Sequence, residues 1–182
     1  MKRDEAIDII LKSTIEDLAK EEREELLLDW WGIDQDDSEF DKLPEALQSE
    51  IFNNDEPQKD IMDEVYSALL FVALRKKYKG VRNEYLSKRV SAILGSNHEV
   101  EGLLEKLYSC PCCEFKTLPR KGEYDICPVC LWEDDGSTNP NSYSPPNRMT
   151  LAQARDNFIE FGLVNRSSIQ FLESDRLEMF SK

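Results

Sequence analysis

The first hundred residues repeat apolar positions with the period of an α-helix. From Ile7 to Leu18, apolar side chains recur at steps of three and four residues, which predicts a helix with one buried face. Ser13 and Glu16 have the spacing of a capping box, so we expect the helix to restart there. The segment beginning EEREELLL predicts a second helix, and Gly32 is its expected end.

Three more helices are predicted before residue 96. Residues 33–43 are acidic and are predicted to form a loop before the first of these helices. Prolines are expected to begin the helices and glycines to end them. The predicted ranges are residues 44–53, 57–79 and 81–94. The middle helix has the widest apolar stripe and is expected to be the central one. Residues 1–95 are therefore predicted to form an acidic helical bundle.

Beyond residue 107 the pattern changes to short segments separated by prolines and turns. Residues 96–107, which include His98, the only histidine, are predicted to be a linker. Residues 108–182 are predicted to form a second domain. Within it, residues 115–118 and 123–126 have the composition of two strands joined by a turn, which predicts a hairpin.

Capping residues at both ends predict a helix over residues 151–161. Thr150 and Gln153 have the spacing of a capping box at its beginning, and Gly162 is a suitable residue at its end. The tail after Gly162 is expected to add one further helix.

The five cysteines lie between residues 110 and 130, in the quartets CPCC and CPVC. Two residues separate Cys110 from Cys113, and two separate Cys127 from Cys130. Such pairs form knuckles whose sulfurs point to one side, and two knuckles together give the four-thiolate tetrahedron that zinc prefers. A closed site of this kind is structural, because no coordination position remains for water or substrate. Iron suits the same sulfur cage, and spacing does not separate the two metals.

Cys112 is the fifth thiol and is too close to its neighbours to join the same tetrahedron. We interpret it as a spacer whose backbone N–H points toward a ligand sulfur. The alternative is a spare thiol that is reactive or takes part in metal exchange. A thiol–disulfide enzyme is disfavoured, because the LWEDDGSTNP segment after Cys130 does not predict the helix that such enzymes place there.

Three C-terminal motifs resemble those of the bacterial cysteine-rich CPCC domain family. They are CPCC at 110–113, YDICPVCLWEDDG at 124–136 and NRMTLAQARDNFIEFG at 147–162, so the resemblance covers about residues 108–162. It implies a small zinc-ribbon-like fold, metal binding by Cys110, Cys113, Cys127 and Cys130, and no specific activity. The predicted fold class is therefore mainly α, with an N-terminal helical bundle followed by a small zinc-ribbon-like α+β module.

Charge narrows the range of partners. The chain has a net charge of −14, and residues 1–64 contain 22 acidic and 7 basic side chains. This balance argues against general affinity for nucleic acid or anionic membranes. Residues 75–89 hold 7 basic and 1 acidic side chains, either as a complement to the acidic face or as a basic docking stripe. No apolar run is long enough for a membrane helix, and thiol ligands suit a reducing compartment, so a cytoplasmic location is expected.

No nucleophile–base pair or glycine-rich phosphate loop is recognisable, so no enzymatic activity is expected. We expect a non-enzymatic acidic binding protein, similar to the immunity proteins that neutralise basic toxin or nuclease domains. The candidate interaction surface contains Trp30, Trp31, Asp34, Asp36, Asp37 and Glu39. Adjacent helical positions point about 100° apart, so one tryptophan is expected in the core and the other partly exposed. The alternatives are a zinc-ribbon nucleic-acid-binding or regulatory protein, and a thiol redox or metal-handling protein.

Overall fold

The computed structural model describes residues 1–182, except for the side chain of Phe171. Within that part the chain is mainly helical, with two small two-stranded sheets, which confirms the predicted fold class. It divides into two compact units. Unit 1 comprises Met1–Lys79 and Leu86–Gly102, and unit 2 comprises Gly80–Tyr85 and Leu103–Lys182. None of the described helices combines the length and the apolar character that a membrane crossing requires.

Unit 1 is built around one short apolar helix. The helices up to residue 94 are α1 (Arg3–Asp17), α2 (Lys20–Trp31), α3 (Glu45–Asn53), α4 (Ser67–Arg75) and α5 (Asn83–Leu94). Helix α4 packs against both α1 and α2, and it buries Leu69 and Leu70 completely. Because a fully buried leucine side chain contributes about 1.5–3 kcal/mol, these two leucines stabilise the packing of α4 on its neighbours.

Two predictions about helix boundaries were wrong. Helix α1 runs without a break through Ser13. The helix predicted to begin at Pro57 begins instead with a 3₁₀ turn over Glu64–Tyr66 and continues as α4. The reason is local, because the carboxylates of Asp60 and Asp63 accept hydrogen bonds from backbone N–H groups two residues on. These turns compete with helix formation.

A buried arginine in α2 stabilises the same region. Arg23 is buried, and its guanidinium donates to the carbonyls of Ile61 and Asp63 and to the hydroxyl of Ser67. These bonds fix the irregular segment before α4 on the face of α2. Helical periodicity in the sequence contains no signal for such a contact.

In unit 2 the strands pair differently from the prediction. Strand β1 (Tyr108–Ser109) pairs antiparallel with β2 (Lys116–Leu118), and β3 (Tyr143–Ser144) pairs antiparallel with β4 (Met149–Thr150). The predicted hairpin between residues 115–118 and 123–126 is therefore wrong.

The predicted second strand instead lies beside residues 132–134. The N–H of Tyr124 donates to the carbonyl of Asp134 at 2.8 Å, and the N–H of Asp134 donates to the carbonyl of Asp125 at 3.0 Å. Residues 123–126 are thus paired with the chain that follows the second cysteine pair.

Helix α6 (Leu151–Phe161) has the predicted bounds and the predicted capping residues. The N–H of Gln153 donates to the hydroxyl of Thr150, and the Gln153 side chain accepts from the N–H of Thr150. Gly162 has a φ of 77° and closes the helix in the left-handed conformation. The tail adds a 3₁₀ segment at Arg166–Phe171 and the short helix α7 (Arg176–Met179).

Candidate metal centre

The two cysteine quartets fold into knuckles with the same backbone geometry. In the first, the N–H of Glu114 donates to the carbonyl of Cys110 at 2.9 Å; in the second, the N–H of Leu131 donates to the carbonyl of Cys127 at 2.8 Å. Glu114 and Leu131 both adopt the left-handed conformation, with φ of 69° and 64°. An L-residue pays a steric penalty there, so the knuckle closure is strong enough to impose the turn on side chains other than glycine.

A second hydrogen bond also repeats. The N–H of Cys110 donates to the carbonyl of Phe115, and the N–H of Cys127 donates to the carbonyl of Trp132, both at 2.9 Å. Each knuckle is therefore closed by two bonds within six residues. Proline follows the first cysteine in both quartets, where it restricts φ and removes a backbone donor.

The knuckles bring four sulfurs into one buried cluster. The Sγ atoms of Cys110, Cys113, Cys127 and Cys130 all lie within 4.8 Å of one another. Two of the pairs join the two knuckles: Cys110 to Cys130 and Cys113 to Cys127, each at 3.6 Å. A tetrahedron with metal–sulfur bonds near 2.3 Å has edges of about 3.8 Å, whereas a disulfide needs about 2.05 Å. The four cysteines are thus arranged to hold a metal ion.

The electrostatic surroundings of the four thiols are unusual. Hydrogen bonding to Cys110 and to Cys127, together with burial, raises the pKa of Cys113. Burial acts to raise the pKa of Cys127 as well, but hydrogen bonds from the neighbouring thiols outweigh it and hold that pKa below its ordinary value. Four thiolates within 4.8 Å of one another would also repel each other, because like charges at short range disfavour ionisation. A divalent cation would supply the charge that stabilises four thiolates.

The surroundings of the cluster are mostly apolar. Trp132 is completely buried, and its indole N–H has no hydrogen-bond partner among the described residues. Cys112 is also buried, with 5% of its surface exposed, and lies outside the group of four. Thr117 is the polar exception, because its hydroxyl lies 3.1 Å from the sulfur of Cys127.

Two arginines bind the backbone of the knuckles, one at each. Arg155 in α6 donates from Nε and Nη2 to the carbonyl of Pro111, at 3.0 and 2.9 Å. Arg176 in α7 donates to the carbonyl of Val129 at 2.9 Å and to that of Gly162 at 3.1 Å. Each knuckle thus receives hydrogen bonds from an arginine that is not one of the four cysteines' neighbours in sequence. Neither contact is predictable from the sequence, because an arginine on a helix surface gives no sign of what it will contact.

The acidic run after the second knuckle is structural rather than solvated. Asp134 is buried, and its carboxylate accepts hydrogen bonds from the N–H groups of Gly122 and Gly136. Asp135 accepts from the N–H of Ser137 and from the hydroxyl of Ser144. These carboxylates stabilise the turn between the second knuckle and β3.

The two adjacent tryptophans separate as expected. Trp31 is buried, donates to the carbonyl of Asn54 at 2.8 Å and packs edge-on against Tyr66. It is a core residue, so its place in the candidate interaction surface is corrected. Trp30 is half-buried, and the ammonium of Lys76 lies 4.3 Å from the centre of its ring.

Most of the predicted surface acids stabilise their own loop. Asp34 accepts a hydrogen bond from the N–H of Asp36, and Asp37 accepts one from the N–H of Glu39. Asp37 and Glu39 also form ion pairs, with Lys76 at 3.3 Å and with Lys42 at 2.6 Å. Asp36 is exposed. The loop is therefore partly neutralised by neighbouring lysines.

The basic stretch and the histidine also have local roles. Arg75 forms ion pairs with Asp4, at 2.7 Å, and with Asp8. This favours the interpretation of the basic stretch as an intramolecular complement. His98 lies outside the sulfur cluster, with Nε2 at 2.8 Å from the hydroxyl of Ser96.

Comparisons with known proteins agree with the site. No curated protein and no solved structure matches the chain. One family model, described as Cysteine-rich CPCC, matches residues 108–178. The match contains both knuckles, α6 and both knuckle-binding arginines. The C-terminal part of the chain thus matches the cysteine-rich CPCC family model, as its motifs predicted.

Proposed function

We propose that the chain is a non-enzymatic binding protein whose CPCC region is held together by a structural zinc ion. The observation that supports the metal most directly is the closed cluster of four buried sulfurs within 4.8 Å. Four thiolates complete a tetrahedral shell, so no position remains open for substrate. Zinc, when bound, would balance the thiolate charge and cross-link the two knuckles. Ligands of this type must stay reduced, which a cytoplasmic location provides.

Zinc is favoured over iron by the structural character of the site. Iron in a sulfur cage normally serves electron transfer, and its potential is tuned by hydrogen bonds and by access of solvent. Here all four cysteines are buried, with at most 2% of any of them exposed, so solvent has no direct access to the sulfurs. A metal without redox chemistry is sufficient to stabilise a small module of this kind.

The metal is tested by the elemental content of the purified protein. We expect one zinc per chain in the wild type and in Cys112→Ser, and a large loss of zinc in Cys127→Ser. Cys112→Ser is the matched control, because it removes a buried thiol that lies outside the group of four. Wild-type protein without metal, or with iron instead of zinc, contradicts the proposal. Full zinc in Cys127→Ser contradicts the ligand assignment.

For the binding activity we propose that unit 1 captures a basic protein domain, as an immunity protein captures a toxin. The exposed face of α2 supports this, since Glu21, Glu24, Glu25 and Asp29 are exposed around Leu28, which is 51% exposed. Glu21, Glu25 and Asp29 follow one another at steps of four residues, a like-charge spacing that destabilises a helix. An apolar centre surrounded by charge is the usual anatomy of a protein interface.

The acidic surface is expected to increase mainly the rate at which a basic partner associates with unit 1. Complementary charge accelerates encounter and makes it sensitive to salt. Nucleic acid is a poorer candidate, because the bases Arg75 and Lys76 already form ion pairs with acids of unit 1.

The binding proposal is tested by affinity capture from the native host. We compare wild-type protein with the double charge reversal Glu21→Lys and Glu25→Lys, and identify the captured proteins by mass spectrometry. A basic domain that is retained by the wild type, lost from the variant and released by salt supports the proposal. Capture that is the same for both proteins, or capture of nucleic acid alone, contradicts it. Lys2→Glu is a matched control for a charge change on another exposed position of unit 1.

A further inference from the structure

Thr117 places a hydroxyl group against one of the four sulfurs. It lies in β2, where the backbone pairs with β1, and only 7% of the residue is exposed. Its Oγ1 atom is 3.1 Å from Sγ of Cys127, and Cys127 is itself completely buried. Both groups are therefore shielded from water, so the hydroxyl must find its hydrogen-bond acceptor inside the protein.

Two acceptors lie within reach, and geometry favours the sulfur. The carbonyl of Phe115 is 3.4 Å from Oγ1, well beyond the usual range of about 2.5–3.0 Å for an O–H···O bond. The sulfur is closer, at 3.1 Å, although it is the larger atom. A thiolate is also the stronger acceptor, because hydrogen bonds to charged groups are roughly twice as strong as neutral ones.

We propose that Thr117 is a positioning residue of the metal centre. Its hydroxyl donates a hydrogen bond to the metal-bound thiolate of Cys127, which orients that sulfur and removes part of its negative charge. The direction of the bond follows from the chemistry, since a metal-bound thiolate has no proton to donate. The inference rests on the proposed structural metal and assigns a role to a residue outside the ligand set.

The need for such a donor follows from charge. Four thiolates around a divalent cation leave two net negative charges in a buried site, and buried charge is costly unless it receives hydrogen bonds. Among the described residues, Thr117 is the one whose hydroxyl reaches a sulfur of the cluster. The two knuckles have the same pattern of backbone hydrogen bonds. The hydroxyl of Thr117 therefore distinguishes Cys127 from Cys110, its counterpart in the first knuckle.

The test compares Thr117→Val with Thr117→Ser in the full chain. Valine keeps the shape of the side chain and removes the hydroxyl, whereas serine keeps the hydroxyl and removes a methyl group. Zinc affinity is measured by competition with a chelator, and the sulfur-to-metal charge-transfer band is measured after substitution with cobalt. We expect valine to weaken zinc binding by about tenfold, as the loss of an outer-shell partner typically does. We also expect its band to move to lower energy, because the sulfur electrons are less stabilised.

Rescue by serine is the decisive comparison. Affinity and band position near wild-type values in Thr117→Ser, with both changed in Thr117→Val, support the role of the hydroxyl. Equal losses in the two variants, or no loss in either, overturn it. If wild-type protein binds no metal, the proposed structural metal site is wrong. This result differs from metal binding that is unchanged by both substitutions at Thr117, which contradicts only the role of the hydroxyl.

A measurement on the wild type remains decisive even if the valine variant does not fold. In protein loaded with cadmium-113, the hydroxyl proton of Thr117 should exchange slowly with solvent and show a coupling to cadmium through the sulfur of Cys127. A rapidly exchanging hydroxyl proton without this coupling overturns the proposal.

Discussion

Arg176 connects three parts of unit 2, and its removal should loosen them together. Its guanidinium donates to the carbonyl of Val129 in the second knuckle, to that of Gly162 at the end of α6, and to that of Glu173 just before α7. The informative change is Arg176→Met, which keeps the aliphatic stem and removes the donor fork. Arg176→Lys is expected to fall between wild type and methionine, because a single ammonium cannot reproduce the fork.

The expected magnitude follows from the hydrogen-bond distances. The bonds at 2.9 and 3.1 Å have good length, whereas the bond to Glu173 is long at 3.3 Å. Hydrogen bonds from a charged donor contribute about 1.5–3 kcal/mol each. Arg176 is half-buried, so water replaces part of the loss and the lower end of the range applies. Two bonds then give a decrease of about 3 kcal/mol in the stability of this region.

Amide hydrogen exchange reports the change where it occurs. The N–H of Val164 donates to the carbonyl of Cys130, so it joins the two segments that Arg176 holds together. A loss of about 3 kcal/mol corresponds to exchange at Val164 that is roughly a hundredfold faster. Amides of α4, which belongs to unit 1, should exchange at their wild-type rates.

Arg166→Met is the matched control, because Arg166 is an exposed arginine in the same tail. Its guanidinium lies 5.6 Å from the ring of Phe161, an exposed contact of about 0.5–1 kcal/mol. If Val164 exchanges no faster in Arg176→Met than in Arg166→Met, the proposed connection is refuted. Equal acceleration of the α4 amides would show that the effect is not local.

Three further changes test other parts of the fold. Arg23→Leu leaves two carbonyls without their charged donor and should lower the free energy of unfolding by about 3 kcal/mol in urea titrations, without loss of zinc; an unchanged midpoint contradicts this. Burial opposes ionisation of Asp135, but hydrogen bonds from Ser144 and Ser137 hold its pKa below the ordinary value. Its contribution to stability is therefore complete above the unfolded pKa of about 4 and is lost as the pH falls through the lower folded pKa. Asp135→Asn should accordingly flatten the acid limb of stability against pH, and an identical acid limb in both proteins counts against the role. Glu114→Gly removes the steric strain of a left-handed residue and should stabilise the metal-bound protein by about 0.5–1 kcal/mol, which is seen as a slightly higher melting temperature. A lower melting temperature contradicts the presence of strain at Glu114.

The features that sequence predicts well are those specified within a few residues. The capping box at Thr150 and the left-handed stop at Gly162 define α6 without help from the rest of the chain. The knuckles are equally local, since each closes through hydrogen bonds between residues four and five positions apart. Their spacing therefore identified the four clustered cysteines.

The features that sequence missed depend on distant partners. Residues 116–118 have strand composition, but composition does not select the partner, and tertiary packing pairs them with Tyr108–Ser109. The irregular segment before α4 is likewise fixed by Arg23, 38 residues before Ile61. A side chain that binds distant backbone carbonyls leaves no periodic trace.

The repeated closure of the knuckles has a consequence for chain length. Glu114 and Phe115 complete the first knuckle, and Thr117 contacts the sulfur of Cys127, whereas residues 119–121 form none of the hydrogen bonds that close the two knuckles. Doubling the length of a flexible connection costs only about 0.6 kcal/mol of closure entropy. Arg120 and Lys121 are exposed, between β2 and the turn fixed by Asp134. An insertion there should leave the centre intact, so the distance between the knuckles is free to vary while the spacing within each is not.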